Sequence, residues 1–478
     1  PRLQVVCLSV LSLKQRTRGP QCFHASIVCR PDFKRNPGAT FSGCRMQAIV
    51  VTFDQLATTA LGCYGNEWIE TPHFDRLASR GVVFDCHFAE HVGDATGMGF
   101  VTGRIPRDSS SCPYDIGSAW SVAAGIAGIE LALFKEVDSL PWSTVLQKTS
   151  ETRAVAGQDT EAKPDEIPFA RLVQATRQLL VEPRASGPRI LWLHSAGVPE
   201  PWFPPEGFAT LYFDEYEERG CDMAAFNRDN WGRHPAVYAG YVSLLDHWLG
   251  ELIAAAELAA HSEPTLLICA AARGVDWMKF DTEQSGTVVG DSMTSTSNPV
   301  VEEWANVSER STLSTVWQSP SLSDAVVRTP LLLRRLNHTD FDSEFAGTRS
   351  NRLVGTVDLG ATLEDFFQRP AAASLSDGRS LLQELSETHS ARKTLCFTDG
   401  RGTRGIRTSH WCCLVKEGPP TKEHEISDEF EPRPQLFAKP EDIWQCNDVA
   451  GQRPEITATL VEHLNSALPV LKPAAPVT

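Results

Sequence analysis

The chain has 478 residues, 42% of them hydrophobic and 22% charged, the composition of a folded globular protein with ample apolar residue for a large core. Its net charge is −16. Residues 1–45 hold eight basic groups and one acid, Asp32, so they carry +7 and leave −23 for residues 46–478, a balance that argues against nucleic-acid binding.

The first 45 residues are basic and rich in cysteine (Cys7, Cys22, Cys29, Cys44) and read as an unstructured extension. Their apolar run, residues 3–13, precedes its basic groups, the reverse of a secretory signal, and Met46 stands directly before the first strong strand. No stretch reaches the ~20 apolar residues of a membrane span. The 13 cysteines include no C-x-x-C pair, and several sit in apolar runs, which points to reduced core thiols and a cytoplasmic protein.

From Met46 onward the apolar runs define elements. Residues 46–53 predict a buried parallel strand, Thr71-Pro72 opens a helix that stops at Gly81, and residues 82–89 predict the next strand. This βαβ start argues for an α/β fold. Residues 148–165 and 281–315 read as loops. Further strands are expected at 189–194, 265–270 and 330–333, and helices at 236–258 and 357–367. After about residue 370 the texture shifts to short strands (394–399, 404–416, 435–438) and a final helix at 454–467. Two domains follow, 46–369 and a smaller α+β subdomain at 370–478.

Several motifs are more specific. LGCYG (61–65), TPHFDRLASRGVVF (71–84) and TGR (102–104) come in order, followed by PEPWFPPEGF (199–208) and YAGYVSLLDHWLGELI (238–253). RTPLLLR (328–334), VDLGATLEDF (357–366), DGRSLL (377–382), RGIRTSHW (404–411) and QLFAKPEDIWQCNDVA (435–450) continue the series. The order resembles the sulfatase family over roughly residues 46–467. Membership implies an alkaline-phosphatase-like architecture, a mixed, mostly parallel sheet between helices with the active site at the strand carboxyl ends. It also implies hydrolysis of sulfate monoesters, with one calcium ion and a formylglycine made from a cysteine or serine.

Aligned on those motifs, the family's paired metal aspartates fall on Asp54 and Gln55, and the later metal pair on Ala272 and Arg273. The formylglycine precursor falls on Gly93, which has no side chain to convert. The motif's Pro, Ser and Arg fall on Ala95, Thr96 and Gly97. The loop histidine falls on Pro199, one lysine near Gln158, and the last histidine and lysine on Ser314 and Ser319. Sulfate-ester hydrolysis needs a cation held by oxygens, a nucleophile, positive charge and a proton donor. Here one family carboxylate, Asp54, is kept, and Arg273 puts a positive charge where the cation belongs. The reading is an inactive homologue with its calcium site dismantled, which works through a protein partner. The alternative is a sulfuric or phosphoric ester hydrolase rebuilt around Asp54 and Gln55 with His91, Asp94 or Thr96. Against it, His87 and His91 are four apart in a strand-like run, where that spacing does not converge on a metal, and Thr96 reads more simply as a loop or cap threonine.

Overall fold

Three seven-residue runs, β1 (Gln47–Phe53), β6 (Arg189–Ser195) and β7 (Thr265–Ala271), are buried along their whole length. Strands covered on both faces must be apolar throughout, which is why these were the plainest in the sequence. The computed structural model describes residues 45–93, 95–105, 129–136, 151–155, 163–182, 187–198, 202–218, 234–261, 263–277, 322–336, 345–368, 377–385, 391–400, 402–416 and 433–468.

β1 lies between β6 and β7 and is parallel to both. Beyond β6 come β4 (Glu130–Glu136) and β5 (Glu151–Val155), also parallel. On the other side β8 (Leu331–Leu336) runs antiparallel to β7. β2 (Val82–Phe84) is antiparallel to β8 and parallel to the edge strand β9 (Thr348–Ser350). The eight-stranded order is β5-β4-β6-β1-β7-β8-β2-β9, a mixed and mostly parallel sheet.

Two expectations need correction. Residues 82–89 do not form one strand: β2 ends at Phe84, and β3 (His87–Phe88) leaves to pair with β10 (Val354–Gly355). The polar stretch 148–165, read as loop, contains β5. Among the described residues β5 pairs with β4 alone, and an edge strand tolerates the charged residues that disguised it.

Helices cover both faces. α1 (Pro72–Ser79), α3 (Pro168–Val181) and α4 (Pro235–Ala259) pack with Ile49, Val51 and Phe53 on one side. α2 (Met98–Thr102) and α5 (Asp358–Phe366) pack with Ala48 and Val50 on the other. No helix among the described residues is long and apolar enough to cross a membrane.

The C-terminal stretch forms a separate antiparallel sheet, β11 (Leu395–Thr398), β12 (Thr403–Arg407), β13 (Trp411–Lys416) and β14 (Gln435–Ala438). α6 (Pro454–Ala467) closes it through Leu460 and Leu464.

Candidate functional site

Asp54 is the first residue after β1 and is almost fully buried. The turn it begins is held from three sides. Its amide donates to the Ser195 carbonyl at 3.1 Å. Gln55 adopts the left-handed backbone region (φ 57°), and Tyr238 Oη donates to its carbonyl at 3.2 Å. Gly197 (φ 72°) presses against Asp54 so closely that a Cβ there would lie 1.6 Å from the Asp54 carbonyl oxygen.

Arg273 leaves β7 at the same level. Phe53 and Ala271 are partners in the β1–β7 register, and the Ala272 amide donates to the Phe53 carbonyl at 2.8 Å. The Arg273 guanidinium grips both oxygens of Asp54, with Nε donating to Oδ1 at 2.9 Å and Nη2 to Oδ2 at 3.0 Å. Both side chains are shielded, 14% and 7% exposed. Nη1 reaches the Val92 carbonyl at 3.5 Å. The alignment brought Asp54 and Arg273 to one site, and the fold joins them in a fork-to-fork ion pair.

Gly93 is one residue past the carbonyl that Arg273 reaches. A Cβ on it would lie 2.3 Å from the Asp399 carbonyl oxygen and 3.0 Å from His91 Cε1. The turn between β11 and β12 therefore lies over this position. It is held there by the Val92 amide donating to the Thr398 carbonyl at 3.2 Å and the Thr398 amide donating to the Glu90 carbonyl at 2.9 Å.

The candidate replacements sit nearby in structural roles. His91 Nδ1 accepts from the Gly93 amide at 3.0 Å. Thr96 is buried, and its hydroxyl donates to the Gly93 carbonyl at 2.5 Å, closing the turn that leads into α2. His87 Nδ1 lies 2.8 Å from Thr329 Oγ1, and burial pushes the ring down to about 4. Ala272 is fully buried in the core. Asp94, Gln158, Pro199, Ser314 and Ser319 lie outside the described residues.

Sequence reasoning passed over His194 and Lys135. His194, near the end of β6, is buried against Thr52 Oγ1 (3.2 Å), and Lys135 of β4 is its register partner. Burial pushes His194 down to about 4, with the Asp54 charge working in the opposite direction. The signal was there: a histidine and a lysine at the carboxyl ends of apolar strands. Glu90 is buried too, and it accepts from the Thr356 hydroxyl and from the amides of Thr356 (3.2 Å) and Val357 (3.3 Å). Burial raises it to about 7. Among the described thiols, burial pushes Cys63 and Cys412 up to about 12, away from the reactive thiolate form.

A calcium ion takes about six to eight oxygen ligands, mostly from carboxylates and carbonyls. The described donors do not fit one: the Asp54 carboxylate is bonded on both oxygens to a guanidinium, and Ala272 offers no side-chain ligand. Among the described residues no group of three or more His, Cys, Asp or Glu is placed to hold a metal ion.

No protein-family model matches the chain. Part of it is similar to known sulfatases. It is 34% identical over 87 residues to arylsulfatase H of Canis lupus familiaris, 18% of this chain and 16% of that protein. It is 34% identical over 92 residues to iduronate 2-sulfatase of Homo sapiens, 19% of this chain and 16% of that one. With steryl-sulfatase of Rattus norvegicus the figures are 41% over 98 residues, 20% and 16%. The matched stretch thus spans about a sixth of each relative's length. Similarity of structure extends much further. The phosphonate monoester hydrolase of Agrobacterium radiobacter aligns with a TM-score of 0.59 at 16% identity, over 88% of this chain and 95% of that one. A protein solved in complex with its substrate D-glucosamine-2-N,6-O-disulfate aligns with a TM-score of 0.61 at 13% identity, over 88% and 97%. At such identities the structures speak to the fold, while the sequence relatives and the ordered motifs speak to kinship. The chain is built on the alkaline-phosphatase-like fold that these solved structures share, and part of its sequence is similar to the sulfatases.

Proposed function

We propose that this chain is a non-catalytic sulfatase homologue that keeps the family scaffold and acts through binding, with a protein as its partner. The observation that carries the reading is the Asp54–Arg273 pair. It puts a guanidinium, which has no lone pair to offer a metal and no open site for substrate oxygen, where the family's chemistry needs a Lewis acid. Gly93 supports it, because the nucleophile position has neither a side chain nor room for one beneath the Asp399 carbonyl. Nucleophile and cation act as a unit in such chemistry, so loss of both removes far more than a fraction of the rate.

The test is direct. Purified protein is offered 4-nitrophenyl sulfate and 4-nitrophenyl phosphate in calcium-containing buffer, and its bound metal is measured by elemental analysis. The expected result is hydrolysis at the buffer rate and a divalent ion well below one per chain. Turnover that disappears in Asp54→Ala would overturn the proposal in favour of a rebuilt ester hydrolase.

A further inference from the structure

Three segments converge on one side chain. Asp54 follows β1, Arg273 follows β7, and Val92 belongs to the loop that β11 clasps. Two neighbouring parallel strands bring Asp54 and Arg273 side by side, so the meeting point is fixed by sheet register rather than by loop flexibility. A carboxylate this shielded needs a counter-charge, since an isolated buried charge is strongly unfavourable. The guanidinium supplies it on both oxygens and has a third donor directed at the Val92 carbonyl.

We infer that Arg273 is a tethered counter-cation. It ties the ends of β1 and β7 to the 90–93 loop with a charge carried by the chain itself, where a bound divalent ion would otherwise be required. This rests on the reading of the chain as a homologue that works without metal, and it adds what the pair does for the fold. The protein's stability should then be indifferent to divalent ions and to chelators. Removing the guanidinium should leave a small hole lined by Asp54 Oδ1, Asp54 Oδ2 and the Val92 carbonyl, with an unbalanced negative charge. Such a hole suits a hard cation bound weakly.

The experiment compares thermal unfolding midpoints in EDTA, in calcium at about 10 mM (above the 10⁻⁴–10⁻³ M dissociation constants of weak oxygen sites) and in potassium chloride of equal ionic strength. The wild-type midpoint is expected to be the same in all three. Arg273→Ala should melt several degrees lower in EDTA and regain part of that loss in calcium but not in potassium. Asp54→Asn/Arg273→Ala should melt above the single variant and ignore calcium. Should Arg273→Ala fail to fold, Arg273→Lys decides: it keeps the tethered charge and should stay insensitive to calcium. A wild type that responds to EDTA or calcium overturns the inference. So does an Arg273→Ala variant blind to calcium, a calcium response that survives loss of Asp54, or one in Arg273→Lys. Turnover by the wild type would instead remove the non-catalytic reading and leave these scans to judge Arg273.

Discussion

At position 93 the chain lacks a side chain and the fold lacks the space for one. The Asp399 carbonyl is a backbone atom in the turn between β11 and β12, so it cannot rotate away as a side chain would. Installing a hydroxyl nucleophile with Gly93→Ser should therefore destabilise the protein by about 1–3 kcal/mol, the usual cost of overpacking a close-fitted site. It should also produce no turnover, because the carboxylate that would hold a cation remains paired with Arg273. Urea unfolding checks the first expectation and a 4-nitrophenyl sulfate assay the second. An unchanged urea midpoint would mean that the turn yields freely. Only half of this was legible in the sequence. Counting back from Thr102-Gly103-Arg104 finds Gly93, but the residue that covers it lies far along the chain in a turn of the antiparallel sheet, and no local pattern announces such a contact. The same holds for Arg273. Its position after an apolar strand was readable, and its grip on Asp54 depends on the in-register pairing of β1 with β7.

At the scale of elements, amphipathic and fully buried segments were readable and segments at edges were not. α4 and α6 declare themselves through helical periodicity, while β5 hides behind Glu151, Thr152 and Arg153 because an edge strand need not be apolar. The break after Phe84 was hidden because Asp85 and Cys86 look tolerable in a strand; in the fold the Asp85 amide donates to Ser350 and its carboxylate pairs with Arg349. The N-terminus of α1 shows an interaction between elements with a measurable consequence. Thr71 does not cap the helix with its side chain. Asp246 of α4 does so from across the interface, accepting from the His73 amide at 3.0 Å and the Phe74 amide at 2.8 Å. Burial nevertheless pushes Asp246 up to about 7, against those hydrogen bonds. An unfolded aspartate titrates near 3.9, so between about pH 4 and pH 7 the folded chain holds a proton that the unfolded chain has released. Stability from this group is complete below that window and is lost as pH rises through it. Asp246→Asn keeps an acceptor oxygen and cannot ionise, so its stability should fall less steeply than the wild type's across the window. Glu90, also raised to about 7, adds slope of the same sign to both proteins and cancels in the comparison. Urea midpoints at about pH 5 and about pH 7 measure it; equal slopes would show that Asp246 does not carry the effect.

For the whole molecule, the order of the motifs mattered more than any one of them, because a scaffold is held by packing positions spread along the whole chain, whatever site it carries. Composition suggested a boundary near residue 370, yet the contacts cross it. One hydrophobic cluster joins Phe88, Ala89 and Val92 from the first part of the chain with Leu395, Phe397, Cys412 and Phe437 from the antiparallel sheet. Residues 90–92 are hydrogen-bonded to Thr398, and Asp358 of α5 forms a buried two-pronged pair with Arg392 at the approach to β11. The described residues, which lie between 45 and 468, fall in one compact unit. A sheet whose inner face is shared in this way should not melt alone, since exposing it would also expose Phe88 and Val92 and leave the backbone groups of residues 90–92 without partners. The expected outcome is one cooperative urea transition, with tryptophan fluorescence and far-ultraviolet circular dichroism tracing coincident curves. Phe397→Ala sharpens the test, because Phe397 is fully buried in the shared cluster and its truncation should cost about 3–5 kcal/mol. If the two parts fold together, that loss moves the whole curve to lower urea by the same amount for both probes. If the antiparallel sheet is an independent domain, the variant instead splits off an early transition and leaves the main one in place, because the loss then falls only on the element that Phe397 belongs to.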